Sequence, residues 1–219
     1  MEASKDPIYK RLNSIKRIEQ SYDFMMKGII NASDEDLIII SDNDEIPNLN
    51  SNKFKKSNKK FYIFKQLLFY YKFNLLHETM PWFGSKACKK KYLKSFSNLR
   101  NLKNKKYPFW RIDTYFSNLK ETSLDIIGDG GWHFTNIKTP EDLYIKMKNF
   151  GHHDEFDESK LTIEDLRKKI DDGLVFYDHF IDKKSEDKWK GNYKLKRIEN
   201  HLLPDYLIKN QNNFKEWFK

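Results

Sequence analysis

The feature that most constrains this chain is a short apolar run that ends in a cluster of acids, LIIISDNDEIPN at positions 37–48. The run at 37–40 is continuously apolar, which predicts a buried β-strand. Three carboxylates follow within four positions, at Asp42, Asp44 and Glu45, and a proline ends the segment. Carboxylates that lie close together repel one another unless a cation, a proton or solvent is among them. The segment therefore predicts a strand that delivers acids to a site at its carboxyl end, where ligands collect in open α/β sheets.

The length and composition of the chain predict one globular domain. Its 219 residues are 38% hydrophobic and 16% aromatic, which is enough for one sizeable core. We expect a helix and the acid-bearing strand in 1–48, a central sheet region in 49–137 and a helical part in 138–219.

The charge balance and the cysteine content limit the binding partners and the cellular location that we expect for this protein. Lys and Arg number 41 against 32 Asp and Glu, a net charge of +9. Because the lysines are scattered along the chain, they favour a compositional bias over a dedicated nucleic-acid surface, and we expect no nucleic acid partner. A peripheral membrane contact through the lysine-rich surface is possible. The single cysteine, Cys88, excludes an internal disulfide, and no stretch approaches the ~20 apolar residues of a membrane span. These features predict a soluble, cytoplasmic protein.

Helix and strand signals alternate along the chain. Apolar residues recur every three or four positions over 8–30, which predicts an amphipathic helix. The aromatic segment 61–76 predicts one or two core strands, and 123–137 predicts a strand, a glycine turn and a second strand. Two further helices are expected at TPEDLYIKMKNF (139–150) and TIEDLRKKIDDG (162–173), each capped by its first threonine. The pattern predicts the α/β class, with a mixed central sheet flanked by helices.

The spacing of the acids indicates a chemistry. In an extended segment alternate side chains point the same way, so Asp42 and Asp44 are expected to share a face while Asn43 points away. Two carboxylates on one face suit Mg²⁺ or Mn²⁺, which would take its other ligands from water and a diphosphate. That arrangement is typical of nucleotide-sugar sites. Two alternatives are a phosphohydrolase with Asp42 as nucleophile, for which the sequence offers no convincing Ser or Thr partner, and a solvated acidic turn.

Two more polar clusters follow. In GDGGWHFTN (128–136) the glycines permit close approach to a ligand, Trp132 offers a platform for a sugar face, and His133 offers a contact to metal or phosphate. The alternative is a glycine-rich hairpin with a core tryptophan. In FGHHDEFD (150–157) a carboxylate such as Glu155 or an imidazole is a candidate general base, and the alternative is a solvated loop at a helix end.

Taken together, three segments resemble glycosyltransferase family 17, the family of the bisecting N-acetylglucosaminyltransferase of N-glycans. These segments are SDNDEIP, MPWFGSK and GGWHFTNIKTPEDLYIKMKNFGHHDEFD, and the resemblance extends over about four fifths of the chain. It implies a GT-A-like nucleotide-diphosphosugar transferase fold, a divalent metal and inversion at the anomeric carbon. It also implies UDP-GlcNAc as the donor and a glycan as the acceptor.

The resemblance assigns roles at matching positions. It implies that Asp42 and Asp44 hold the metal and the diphosphate, and its GWH motif falls on Trp132 and His133, with His133 as a further metal ligand. An inverting displacement also needs a base that takes the proton of the acceptor hydroxyl. The candidates for this base, in order, are Glu155, Asp129 and Glu45.

The chain departs from the GT-A pattern at its start. Such a domain places a strand, a helix and a strand before the strand that leads to the acidic motif, whereas fewer than 40 residues precede that strand here. We therefore expect a domain that lacks its N-terminal part. This leaves a second hypothesis, a non-catalytic remnant that binds a glycan or a nucleic acid.

Overall fold

The computed structural model describes residues 7–149, 153–177 and 193–219, which form a mixed α/β structure with a strongly curled mixed sheet and several helices. The helices are α1 (Pro7–Met25), α2 (Asn52–Lys56), α3 (Phe96–Asn101), α4 (Pro140–Asn149), α5 (His153–Ser159), α6 (Ile163–Asp172) and α7 (Asp205–Lys209). The strands are β1 (Leu37–Ile40), β2 (Glu45–Pro47), β3 (Phe61–Tyr70), β4 (Leu75–Leu76), β5 (Trp82–Lys89), β6 (Leu124–Ile127), β7 (Gly131–Thr135) and β8 (Lys196–Arg197). Within these ranges, no helix has both the length and the apolar character needed to cross a membrane.

The sheet follows the order β1-β5-β3-β4-β8, with β6 beside β3 and β7 beside both β2 and β3. Strands β1, β5, β3, β4 and β8 pair antiparallel with their neighbours, and β3 pairs parallel with β6. The expected mixed sheet is therefore confirmed. Contacts within the chain group into two compact units. The central unit comprises Lys16–Leu67 and Pro81–His133, and the terminal unit comprises Met1–Ile15, Leu68–Met80 and Phe134–Lys219.

The strand that precedes the acids differs from its expected setting. The continuous apolar run predicts a buried strand of an open α/β sheet, but β1 stands at the end of the sheet order and pairs antiparallel with β5. Ile38 and Ile40 are buried, while Leu37 is exposed. Alternate side chains of the strand point to opposite faces, and Ile39, on the other face, is half-buried against a second cluster of buried residues that includes Phe64. The strand therefore contacts core residues on both faces, and only its first residue is exposed.

The core of the central unit lies under β1, β3 and β5. Ile38 and Ile40 pack there with Phe61, Cys88 and Leu99 among other residues, and the C-terminal half of α1 packs Tyr22 against them. Burial raises the pKa of the Cys88 thiol to about 12, which keeps it protonated and unreactive. This core fixes the strand that leads to the acids.

The terminal unit has an aromatic core. Phe69 stacks on Phe134 with 5.0 Å between ring centroids, and the Tyr70 ring contacts the rings of Tyr71 and Phe176. Helices α4 and α6 begin where the sequence predicts. The Asp142 amide donates to the Thr139 hydroxyl at 3.2 Å, and Thr162 and Asp165 form a reciprocal capping box at the start of α6. Gly173 ends α6 with a φ of 68°, a conformation that glycine adopts without strain.

The segment 150–157 is only partly described. Residues 150–152 lie outside the described residues, and 153–159 form helix α5. The alternative of a solvated loop at this place is therefore wrong for the described residues.

Candidate functional site

The three acids lie on a tight turn between β1 and β2. The Glu45 amide donates to the Asp42 carbonyl at 3.0 Å, which closes a β-turn over positions 42–45. The expectation that Asp42 and Asp44 share a face of an extended segment is wrong, because the turn reverses the chain between them. The two carboxylates instead contact different partners, Arg100 and His133.

Glu45 is the buried member of the group. Its side chain is 0% exposed, and one carboxylate oxygen accepts a hydrogen bond from the Trp82 indole at 2.7 Å. The other oxygen accepts from the Asp42 amide at 3.2 Å and from the Ser85 hydroxyl at 3.4 Å. A buried carboxylate costs free energy unless it is paired in this way. The buried Glu45 carboxylate therefore stabilises the turn through its hydrogen bond with the Asp42 amide.

Arg100 supplies a positive charge that the sequence did not reveal. Its guanidinium donates to the Asp42 carboxylate, lies 3.7 Å from Glu45 and donates to the Gly84 carbonyl at 3.5 Å. It lies 58 positions from Asp42, in a lysine-rich segment where nothing in the local pattern singles it out. We call Asp42, Asp44, Glu45, Arg100 and His133 the acid cluster.

Lys86 holds the helix that carries Arg100. Its buried ammonium donates to the carbonyls of Arg100 and Leu102, at 2.7 Å each, at the end of α3. Carbonyls at a helix C-terminus have no partner within the helix, and a cation there is favourable. Burial and the nearby Arg100 lower the pKa of Lys86 to about 8.

The electrostatics of the cluster show an excess of negative charge. Burial raises the pKa of the Asp42 carboxyl; Arg100 opposes this, and Glu45 and Asp44 add to the rise. Burial works against the charge of Arg100, but Asp42 and Glu45 outweigh it and raise the pKa of the guanidinium. Arg100 therefore stays charged, and it does not fully compensate the acids.

His133 completes the cluster on strand β7. It stands opposite Glu45 in the β2–β7 pairing, and its Nε2 lies 3.2 Å from an Asp44 carboxylate oxygen. Its ring lies 4.4 Å from the ring of Trp82. The Nδ1 of His133 and the Oε1 of Gln66 are buried and have no hydrogen-bond partner among the described residues. Buried polar atoms of this kind are uncommon, and a water or a ligand hydroxyl would satisfy them.

The glycines around the cluster serve close packing of the backbone. A Cβ on Gly131, whose φ is 109°, would lie 2.1 Å from the Ile46 carbonyl oxygen. A Cβ on Gly130 would lie 2.5 Å from the Lys65 amide nitrogen, and one on Gly84 would lie 2.1 Å from Gln66 and 2.8 Å from Glu45. At Gly130 and Gly131 the groups that come close to the glycine backbone are therefore backbone atoms of neighbouring strands.

The remaining candidate residues lie in other settings. Asp129 accepts a hydrogen bond from the Ser51 hydroxyl at 2.5 Å, and its carbonyl accepts from the Asn48 side chain. Trp132 lies opposite Ile46 and is half-buried. Its exposure is therefore intermediate between the two alternatives from the sequence, an exposed sugar platform and a core tryptophan. Glu155 is half-buried on α5 in the terminal unit, where its charge contributes to the raised pKa of Tyr177. The role of each as a base or a sugar contact stays a prediction.

In residues 7–149, 153–177 and 193–219, no three or more His, Cys, Asp or Glu side chains converge as they do around a protein-bound metal ion. Mg²⁺ is often held by only one or two carboxylates together with substrate phosphates and water. The number of protein ligands alone therefore does not decide the question.

Comparison with known proteins gave no relative of this chain. No family model, no curated protein and no solved structure matched it.

Proposed function

We propose that this chain is a glycosyltransferase that moves N-acetylglucosamine from UDP-GlcNAc to a hydroxyl of a glycan acceptor, with inversion at the anomeric carbon. One observation carries the proposal. The three segments that carry the resemblance to glycosyltransferase family 17 meet around Glu45, which contacts Trp82 of MPWFGSK and pairs with His133 of GWH.

This convergence supports the proposal because nothing in the local sequence requires it. Trp82 and His133 lie 37 and 88 positions from Glu45. Scattered acids on a solvated turn would not be expected to bury one carboxylate among an indole, a serine and an arginine. The GT-A-like fold is part of the same proposal, and the mixed sheet supports it.

The donor set fits a divalent cation that is shared with a diphosphate. The cluster contains three acids and one arginine, and the pKa of Asp42 is raised despite that arginine. The carboxylates of Asp42 and Asp44 are 46% and 32% exposed, so a ligand can reach them. One or two of Asp42, Asp44 and His133 would hold Mn²⁺ or Mg²⁺ together with the diphosphate and water, and the cation would neutralise the charge of the departing diphosphate.

The other residues of the cluster would act by positioning. Arg100 is partly exposed and always charged, so its guanidinium is suited to contact a phosphate oxygen beside Asp42. Glu45 is buried and fully engaged with Trp82 and its neighbours, which suits a residue that holds the turn in place. The base that takes the acceptor proton is proposed to be Glu155 or Asp129, because the Glu45 carboxylate is fully buried.

A second function is favoured by a separate observation. Each acid of the cluster already contacts a protein group: Asp42 contacts Arg100, Asp44 contacts His133 and Glu45 contacts Trp82. A turn whose acids all contact protein groups is also expected in a non-catalytic domain that no longer uses a nucleotide-sugar donor. That domain would bind a glycan without a nucleotide.

Calorimetric titration with UDP and UDP-GlcNAc, each with and without Mn²⁺, tests the proposal. We expect binding that requires Mn²⁺ and weakens at least tenfold in Asp44→Asn. The matched control is Asp34→Asn, which removes an exposed acid just before β1 and should bind like the wild type. Circular dichroism should show both variants folded.

The outcomes separate the two functions. Metal-dependent binding should be followed by release of UDP when glycan acceptors are added. A folded chain that binds neither UDP nor UDP-GlcNAc in any condition would contradict the transferase. If that chain still binds glycans, the binding domain is supported.

A further inference from the structure

A long loop between α3 and β6 exposes large apolar side chains. We call residues 103–120 the aromatic loop. Five of its side chains are between 67% and 86% exposed: Phe109, Trp110, Ile112, Tyr115 and Phe116. Single exposed apolar residues are ordinary, but five within eight positions form a patch of the kind that marks an interaction site.

The base of the aromatic loop is closed by hydrogen bonds. The Lys103 amide donates to the Leu119 carbonyl at 2.8 Å, and the Asn98 side chain donates to the Asn118 carbonyl at 2.7 Å. Leu102, next to the base, is buried in the core. The ends of the loop are therefore adjacent, as in an Ω-loop, and the apolar residues occupy its far part.

The far part has its own internal structure. The Arg111 amide donates to the Pro108 carbonyl at 3.2 Å, and residues Ile112–Thr114 form a 3₁₀ turn. Thr114 is buried and donates to the Arg111 carbonyl at 2.6 Å. Asp113 accepts from Arg111 at 2.6 and 2.8 Å and lies 2.7 Å from Lys120. The exposed rings thus project from an ordered backbone whose acid is neutralised.

The charge of the aromatic loop is strongly positive at its base. The loop holds one acid and five cations, which are Lys103, Lys105, Lys106, Arg111 and Lys120. Lys106 pairs with Asp125 at 2.5 Å. Among the described residues, no acid lies within ion-pair distance of Lys103 or Lys105, and both are exposed. Cationic side chains therefore flank an apolar tip.

We propose that the aromatic loop binds the surface of a bilayer that contains anionic lipid. Phe109, Ile112 and Phe116 would enter the acyl boundary, and the amphipathic rings of Trp110 and Tyr115 would lie at the headgroups. The lysines at the base would face the anionic headgroups. A second copy of the chain is a poorer occupant, because the same cations would face each other. The inference does not rest on the proposed sugar transfer.

Flotation of the full chain with vesicles tests this inference. We expect the chain to float with phosphatidylcholine vesicles that contain 30% phosphatidylserine, and at least tenfold less with phosphatidylcholine alone. The double variant Phe109→Ser, Phe116→Ser should lose at least tenfold of the binding. The double variant Lys103→Gln, Lys105→Gln should lose the preference for phosphatidylserine, and 0.5 M NaCl should act in the same direction.

Two variants outside the aromatic loop serve as controls. Ile145→Ser and Tyr206→Ser remove side chains that are 58% and 66% exposed elsewhere, and each should float like the wild type. Equal flotation of the wild type and the phenylalanine double variant would overturn the inference. So would an absence of flotation, or self-association in sedimentation that the double variant abolishes. If the double variant does not fold, Trp110→Ser takes its place.

Discussion

The acid cluster and the aromatic loop belong to the same central unit and depart from ordinary burial in opposite directions. The cluster places a carboxylate and parts of an arginine and a histidine inside the protein, whereas the loop places five large apolar side chains in solvent. In the cluster, protein groups satisfy the buried charge. In the loop, the described residues do not cover the apolar surface.

Because of this difference, substitutions in the two regions should have different energetic effects. Removing one member of a buried polar network leaves its partners without hydrogen bonds in a medium of low dielectric constant, which is costly. Removing an exposed apolar side chain from a loop changes little in the folded protein. Substitutions in the cluster should therefore change stability, and those in the loop should change binding.

The largest effect is expected for Glu45→Ala. The change leaves Arg100 and the Trp82 indole without their buried partner, so the free energy of unfolding should fall by about 3–5 kcal/mol and the melting temperature by about 10 °C. Thermal unfolding followed by circular dichroism measures this. Glu45→Gln keeps an acceptor for Trp82 and should lose less than half as much. A melting temperature unchanged in Glu45→Ala would mean that the cluster is not a buried network.

Gly84→Ala is expected to have the next largest effect. Its Cβ would lie 2.1 Å from Gln66 Oε1 and 2.8 Å from the Glu45 carboxyl carbon, which forces both side chains to move at a cost of about 1–3 kcal/mol. Urea unfolding measures the loss. Gly128→Ala is the control, because nothing lies within 4 Å of the Cβ that would be added there. Equal losses at the two positions would contradict close packing around Glu45.

The free energy of unfolding should depend on pH because the Lys86 ammonium is buried. The pKa of Lys86 is about 8 in the folded protein and 10.5 as its ordinary value. Between these values the unfolded chain holds more protons, so the free energy of unfolding rises with pH. From pH 7.5 to 9.5 the wild type should gain about 1–2 kcal/mol relative to Lys86→Met, which does not titrate. A constant difference across this range would show that the Lys86 ammonium is solvated.

Asp42→Asn should have a smaller effect of opposite sign. Because the folded pKa of Asp42 lies above its ordinary value, ionisation of this carboxyl costs stability as the pH rises through that raised pKa. The amide removes this cost, so the melting temperature at pH 7 should rise, by a small amount because the Asp42 side chain is 46% exposed. Donor binding should weaken in the same variant. A lower melting temperature would indicate that the Arg100 pair outweighs burial.

The smallest effect on stability is expected in the aromatic loop. Phe109→Ser together with Phe116→Ser should change the free energy of unfolding by less than about 0.5 kcal/mol, because both rings are exposed. Urea unfolding of the wild type and this variant measures the difference. A loss above about 2 kcal/mol would mean that the rings are packed in solution, and the contrast with the acid cluster would not hold.

Much of the local structure could be predicted from the sequence. The helix over α1, the strand at 37–40 and the capped helix α6 follow from residues within one or two turns of each other. The geometry of the acids could not be predicted in this way. The spacing of Asp42 and Asp44 predicts a shared face, whereas the turn sends them to different partners, and Arg100 carries no local signal.

The sequence by itself determined the strand at 37–40, the helices α4 and α6 with their capping residues, and three segments that carry polar groups. Periodicity, capping residues and glycine depend on neighbours a few positions away, so the sequence states them directly. Only the tertiary structure decided that β1 is an antiparallel edge strand, that Glu45 is buried between Trp82 and Arg100, and that the rings of the aromatic loop face solvent. The physical reason is that burial and charge pairing are set by residues tens of positions apart, whose meeting depends on how the whole sheet packs.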